Sequence, residues 1–206
     1  MLFDILSLLS LIFVLLCLRR LVGIFPSLLM CITRNKENFN IEASIRLSRD
    51  RDLVAACMIM PFCLTAVRFN LYDPDIISGL DEYLKIWTII LVFAIYTLFR
   101  LTMTRVFRPY RINSDTFRTA EKSSNTFFVI LALTLLAAGG LMSFMNIDEG
   151  TIRSAMLWIS IVIYSVHLIR KLQIFNSSCS VFVGFLYLCA LEIIPTGTLV
   201  VSALIF

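Results

Sequence analysis

A carboxylate followed by a proline interrupts the apolar run near the end of the chain, in the stretch FLYLCALEIIPTG. Glu192 stands in its middle, with Tyr187 before it and Pro195 after it. A carboxylate surrounded by hydrocarbon is energetically expensive and by default marks a functional site. Proline cannot donate a backbone hydrogen bond, so we expect it to kink the helix and expose the carbonyl of Leu191. These residues predict a buried polar site centred on Glu192.

The sequence leaves three interpretations of Glu192 open. In the structural one, the carboxyl is neutral at pH 7, bonds to a hydroxyl or to the exposed carbonyl, and joins helices in the interior. In the functional one, it is a proton- or ion-coupled site. In the third, it contacts another subunit. Leu188, Cys189 and Thr196 share its helix face, which we therefore expect to contact other helices.

Three further polar residues near the ends of apolar segments are secondary candidates. His167 is expected to form an interfacial hydrogen bond, and its ordinary pKa would also suit proton relay. Arg100 and Arg68 can extend their side chains toward a membrane surface, and Arg68 could pair with acidic residues in the stretch 72–83. One histidine, and six cysteines without C-x-x-C spacing, predict no metal site and no cofactor.

The composition indicates that these residues belong to a membrane protein. Of 206 residues, 59% are hydrophobic and 16% are charged, and the mean hydropathy is +0.91. Soluble domains are about 45–50% apolar and about 25% charged. The apolar residues form long blocks, and about 20 helical residues cross a bilayer core. We predict an all-α fold, a single polytopic transmembrane helix bundle with about six spans: 2–18, 53–71, 86–103, 126–145, 154–169 and 181–206.

Two local features add detail to the predicted bundle. The apolar piece 21–32 follows Arg19 and Arg20 and contains Pro26. It is too short to span again, so we expect an interfacial or re-entrant piece, with continuation of the first helix as the alternative. In the fourth span, the small residues Gly139 and Ser143 lie four apart, a spacing that favours close helix packing in lipid.

The loops between the predicted spans alternate in charge. Loops 33–52 and 104–125 are rich in Lys and Arg, and so is the turn at Arg170 and Lys171. The other loops are mainly acidic. Because basic loops remain on the cytoplasmic side, we predict a multi-pass protein with both termini in the periplasm.

The pattern Tyr-x-x-x-x-Glu-x-x-Pro occurs here as Tyr187, Glu192 and Pro195 within LYLCALEIIP. With the layout of apolar spans and basic loops, this stretch resembles the closing motif of a family of small integral membrane proteins of Bacteroidota, a domain of unknown function. The resemblance implies the inner membrane of a Gram-negative cell and brings no activity with it. It makes these three residues the positions to test.

No motif in the chain names a chemistry. Zinc-protease, nucleophile-elbow, P-loop and dinucleotide-binding patterns do not occur, and no nucleic-acid-binding motif accompanies the basic loops. We therefore predict a non-enzymatic protein whose partners are the lipid bilayer and other membrane proteins. The expected role is an accessory or assembly subunit of a cell-envelope complex. The alternative is a small transporter or proton-coupled protein that uses Glu192.

Overall fold

The computed structural model describes residues 2–34, 36–72, 81–106 and 113–205. Within these ranges the regular structure is helical and includes no strand, which confirms the all-α fold class. In chain order the elements are α1 Leu2–Thr33, α2 Lys36–Ala43, α3 Ile45–Arg68, α4 Glu82–Val106, α5 Ser114–Phe144, α6 Glu149–Asn176, α7 Val181–Leu188, the π-helical turn Cys189–Ile193 and α8 Ile194–Ile205.

Five helical segments of the described chain are long and apolar enough to cross a membrane. They are Ile5–Thr33, Leu84–Val106, Ser114–Phe144, Glu149–Asn176 and Val181–Ser202. The predicted span 53–71 falls in α3, which is not among the five. α3 has charged residues in its first two turns and ends at Arg68, yet its 24 residues are long enough to cross. The architecture is consistent with the predicted bundle of about six spans.

The stretch 21–32 is the second half of α1, which continues unbroken to Thr33, as the alternative interpretation has it. The basic pair does not end the helix, because arginine is a good helix former, and Arg20 lies 3.6 Å from Asp50 of α3. A buried stripe also continues past the pair at intervals of three or four residues and packs on α3. Its members are Cys17, Leu21, Ile24 and Leu28.

α3 and α5 form the centre of the bundle. Val54 and Met58 of α3 are fully buried and pack with Val129 and Ala132 of α5 in the largest apolar cluster, which α1 covers on one side. Such packing is what holds helices together in lipid, where the surroundings are as apolar as the interface. The two helices therefore position the polar side chains that α4, α6 and the C-terminal segment bring to the interior.

α5 and α6 approach closely at Gly139. A Cβ atom at this position would overlap the terminal methyl group of Met156 on α6 and would lie 3.0 Å from the ring of Phe69. The predicted role of Gly139 in close packing therefore fits the structure. Ser143, predicted to act with it, is exposed and does not join the contact.

An ionic network ties the ends of α2, α3 and α5 together. Arg51 is buried to 2% exposure, and its Nη2 lies 3.1 Å from Glu42 Oε2 and 3.0 Å from Asp52 Oδ1. Lys122 Nζ of α5 lies 2.5 Å from Asp52 Oδ2, and Asn125 donates to Asp52 Oδ1 at 2.9 Å. The basic loops before α3 and before α5 therefore lie at the same end of the bundle.

Candidate functional site

The predicted interruption of the last helix takes the form of a π-helical turn, Cys189–Ile193, which contains Glu192. Pro195 has no backbone N–H, and its ring crowds the carbonyl four residues earlier, so a wider turn lets the helix pass. In this turn the backbone carbonyl of Glu192 accepts a hydrogen bond from the Tyr164 hydroxyl at 3.1 Å. The turn thus fixes both the backbone and the side chain of Glu192.

The Glu192 side chain lies at the centre of a cluster, named here the Glu192 cluster, that joins three helices to the π turn. Its Oε1 lies 2.5 Å from Arg100 Nη2 of α4 and forms an ion pair with Lys171 Nζ of α6. Ser124 of α5 donates to the same oxygen at 3.3 Å and accepts from Arg100. His167 Nε2 lies 3.7 Å from Oε1. One carboxylate oxygen therefore faces two basic side chains.

Glu192 faces the interior as expected, with 2% of its surface exposed, but the neutral state predicted for it does not fit this environment. Neutrality was predicted because no charged partner was assigned to Glu192. Two cations in contact favour the ionised carboxyl, because protonation would leave both without a buried counter-charge. The geometry therefore favours the ionised form of Glu192 over the predicted neutral form.

His167 lies inside the bundle rather than at the interface predicted for it. It is 5% exposed, stacks near Phe127 with ring centroids 5.0 Å apart, and keeps its Nδ1 without a hydrogen-bond partner among the described residues. This nitrogen is able to accept or carry a proton. Within the described part of the chain, no group of three His, Cys, Asp or Glu side chains could hold a metal ion.

The other predicted residues divide between the cluster and its surroundings. Arg100 is a member, and Pro195 is buried beside it. Tyr187 lies outside it and packs near Phe175, with ring centroids 6.3 Å apart. Arg68 is exposed at the end of α3 and is not part of the cluster, and most of the acidic loop proposed to pair with it lies outside the described residues.

The sequence did not predict three residues at this site. Lys171 and Ser124 contact the Glu192 carboxylate, and Tyr164 donates to its backbone carbonyl. Lys171 was assigned to a loop, but α6 continues to Asn176 and carries it inside. A signal was present: Tyr164, His167 and Lys171 recur at intervals of three and four residues, which places them on one helix face. Ser124 has no such signal, because a single serine in an apolar helix is common.

A partly open cavity of about 150 Å³ adjoins the Glu192 cluster. Arg100 and Lys171 form part of its wall, together with the carboxylate side chain Glu121 and the amide side chain Asn125 of α5. The cavity lies between α4 on one side and α5 and α6 on the other. The cluster therefore borders a partly open cavity through Arg100 and Lys171.

The family described as Domain of unknown function (DUF4271) matches residues 4–201 of this chain. No curated protein matches the chain, and no solved structure matches it. The matched range covers nearly the whole sequence, including every member of the Glu192 cluster. This apolar helical chain is an integral membrane protein that belongs to the family Domain of unknown function (DUF4271).

Proposed function

We propose that the protein is a small proton-coupled membrane protein of the transporter class, in which Glu192 is the coupling residue. One observation carries the proposal. Oε1 of the buried Glu192 contacts both Arg100 and Lys171, and these two cations form part of the wall of a partly open cavity. Ionisable groups inside a membrane protein and beside a cavity typically belong to substrate or proton pathways.

Protonation of Glu192 would change the charge of the cavity wall. The ionised carboxylate offsets part of the charge of Arg100 and Lys171, whereas the protonated group does not, and the two cations then need another anion. An anion in the cavity and a proton on Glu192 therefore favour each other, and thermodynamic linkage makes this effect reciprocal. The other titratable groups around the cluster are Tyr96 of α4, Glu121 of α5, and Tyr164 and His167 of α6.

A second candidate is the accessory or assembly subunit of an envelope complex that the sequence favoured. The observation in its favour is that one carboxylate joins α4, α5 and α6 to the C-terminal segment. A group with a purely structural role would make the same contacts. Under this proposal the Glu192 cluster keeps the bundle rigid and other membrane proteins dock elsewhere. Both candidates are non-enzymatic.

We also propose the inner membrane of a Gram-negative cell, with both termini in the periplasm. The resemblance to Bacteroidota proteins supports the membrane. The orientation is supported by the gathering of basic segments at one end, where Lys122 contacts Asp52 and Arg170 of α6 donates to the carbonyls of Ile32 and Thr33. Basic residues gathered in this way are typical of the cytoplasmic side.

The test is proton flux into vesicles of phosphatidylglycerol and phosphatidylcholine that contain the purified protein and enclose a pH-sensitive dye. An imposed pH gradient drives the flux, and a potassium ionophore removes the membrane potential. Glu192→Gln should slow the flux by about a hundredfold, the loss expected when a proton-transfer group is removed. Glu149→Gln, an exposed carboxylate at the start of α6, is the matched control and should behave as wild type.

The two candidates give opposite results with Glu192→Gln. Loss of flux from a protein that remains folded and monodisperse supports proton coupling. Unchanged flux, together with partner proteins that still co-purify with the variant in mild detergent, overturns it and leaves the accessory role.

A further inference from the structure

The cavity beside the Glu192 cluster has unused hydrogen-bond donors in its wall. Arg100 bonds to Ser124 and Glu192 through Nη2, and its Nε and Nη1 have no protein partner among the described residues. Its side chain is 24% exposed, whereas that of Lys171 is 3% exposed. A guanidinium presents its donors in a planar fork that matches phosphate and carboxylate oxygens. Arg100 is therefore the group that meets a ligand first.

The arrangement of charges in the wall favours an anion at Arg100. Arg100 and Lys171 pair with the same carboxylate oxygen of Glu192, so the partly exposed guanidinium of Arg100 has no carboxylate of its own among the described residues. The remaining acid is Glu121, which is half-buried and forms no ion pair within 4 Å among the described residues. Thr97 and Thr104 of α4 also line the wall, but their hydroxyl groups donate to the carbonyls of Phe93 and Arg100, so the guanidinium is the donor that remains for an anion. A ligand anion that pairs with Arg100 would therefore stabilise the site.

The cavity also has an apolar side, which Leu101, Phe117, Phe175 and Leu191 line. Phe117, Phe175 and Leu191 are buried, whereas Leu101 is 40% exposed on α4. A partly open cavity with a charged side and an apolar side fits a group that is polar at one end and apolar at the other. The volume of about 150 Å³ is below the about 300–1,000 Å³ of typical small-molecule pockets, so it accepts a headgroup rather than a whole amphiphile.

We propose that this cavity binds a phosphate group, carried by an anionic lipid whose chains remain outside between α4 and α6. The phosphate oxygens accept from Arg100 and from Lys171, and the apolar wall contacts the glycerol and first methylene groups. This inference rests on the proposed function, because both require the Glu192 cluster to take part in binding in addition to holding the helices together.

The experiment is native mass spectrometry of the purified protein, titrated with phosphatidylglycerol and, separately, with phosphatidylcholine. Wild type should bind the anionic lipid more tightly. Arg100→Gln should weaken that binding by about tenfold, the loss of one charged hydrogen-bond partner. Arg105→Gln, an exposed basic residue of the same helix that does not line the cavity, should leave the affinity unchanged.

A second variant tests the proposal in the opposite direction. Glu121→Gln removes the acid from the wall, so the affinity for phosphatidylglycerol should rise by about two- to fivefold. This variant keeps the proposal falsifiable even if Arg100→Gln does not fold. Equal affinities for the two lipids, or affinities that neither substitution changes in a folded protein, would overturn the proposal.

Inorganic phosphate added as a competitor distinguishes the source of the group. Displacement of phosphatidylglycerol at similar phosphate concentrations supports the phosphate site and assigns it to soluble phosphate. Binding that phosphate does not displace, but that Arg100→Gln weakens, assigns the site to the lipid. The result is separable from the proposed function. If the protein binds the anionic lipid but carries no proton flux, only the proposed proton coupling is overturned. If flux depends on Glu192 but neither lipid is preferred, only the proposed phosphate site is overturned.

Discussion

Among single residues, Glu192 carries the largest energetic consequences because two cations depend on one of its oxygens. Arg100 approaches from α4 and Lys171 from α6. A buried ion pair contributes little compared with well-packed apolar residues, but removing one partner leaves an uncompensated charge and is strongly destabilising. Lys171 depends on this ion pair more than Arg100 does, because its side chain is almost fully buried whereas that of Arg100 is 24% exposed.

Glu192→Leu is expected to destabilise the protein by about 3–5 kcal/mol, the cost of stranding a buried charge. Thermal unfolding in detergent, followed by circular dichroism, measures the effect. Combining this change with Lys171→Met should recover part of the loss, because the buried amine that lost its carboxylate partner is then absent as well. Glu149→Leu at the exposed start of α6 serves as the control. A Glu192→Leu protein as stable as wild type would contradict the ion-pair geometry.

Asp52 predicts how stability depends on pH. Burial alone would raise the pKa of its carboxyl, but hydrogen bonds from Lys122 and Asn125 and the charge of Arg51 lower the pKa below its ordinary 3.8. A lowered pKa means that the contribution to stability is complete above the ordinary pKa and is lost as pH falls toward the lower, folded-state pKa. The midpoint temperature of unfolding should therefore decrease as the pH is lowered from about 6 to about 3.

Asp52→Asn is the informative partner of that measurement. It removes the titrating group, so its midpoint should depend less on pH over the acidic range than that of wild type. Exposed Asp148, whose pKa is lowered by its bonds to Thr151, offers a comparison site at the opposite end of α6 from the Glu192 cluster. Parallel curves for wild type and Asp52→Asn would show that Asp52 makes no such contribution.

At the scale of elements, the close approach of α5 and α6 depends on the absence of a side chain at Gly139. Gly139→Ala should cost about 1 kcal/mol, since the flexible Met156 can move but the ring of Phe69 has less freedom. Gly139→Leu should cost about 1–3 kcal/mol or more. The next glycine is a matched control. A Cβ at Gly140 would meet no atom within 4 Å, so Gly140→Ala should be neutral or slightly stabilising.

Unfolding measurements on these three variants decide whether the contact matters. The order of stability should be Gly140→Ala, then Gly139→Ala, then Gly139→Leu. If Gly139→Leu unfolds at the same temperature as Gly140→Ala, the helices do not pack closely at this point.

For the whole molecule, the orientation in the membrane is the prediction that charge patterning makes most directly. Alkaline phosphatase, which is active only in the periplasm, should be active when fused after Phe206 and inactive when inserted within 104–125. A fusion after the acidic stretch 146–153 provides a second periplasmic point. The reverse pattern of activities would overturn the proposed orientation while leaving the fold unchanged.

How much the sequence could predict depends on the range of the interaction. The sequence could predict that Glu192 faces the interior, because a carboxylate exposed to hydrocarbon is energetically expensive in any fold of this chain. The continuation of α1 through Arg19 and Arg20 could not be read in the same way. It is accompanied by a stripe of α1 that is apolar in sequence but becomes an interface only against α3.

By itself, the sequence determined the membrane class, the helical architecture and the presence of a polar residue inside the last helix. These follow from hydropathy, periodicity and the composition of single segments, which act over a few turns. Only the tertiary structure decided that Arg100, Ser124, His167 and Lys171 converge on Glu192 and that a cavity adjoins them. These residues are up to 92 positions apart, and their charges are paired by helix packing, which no local pattern encodes.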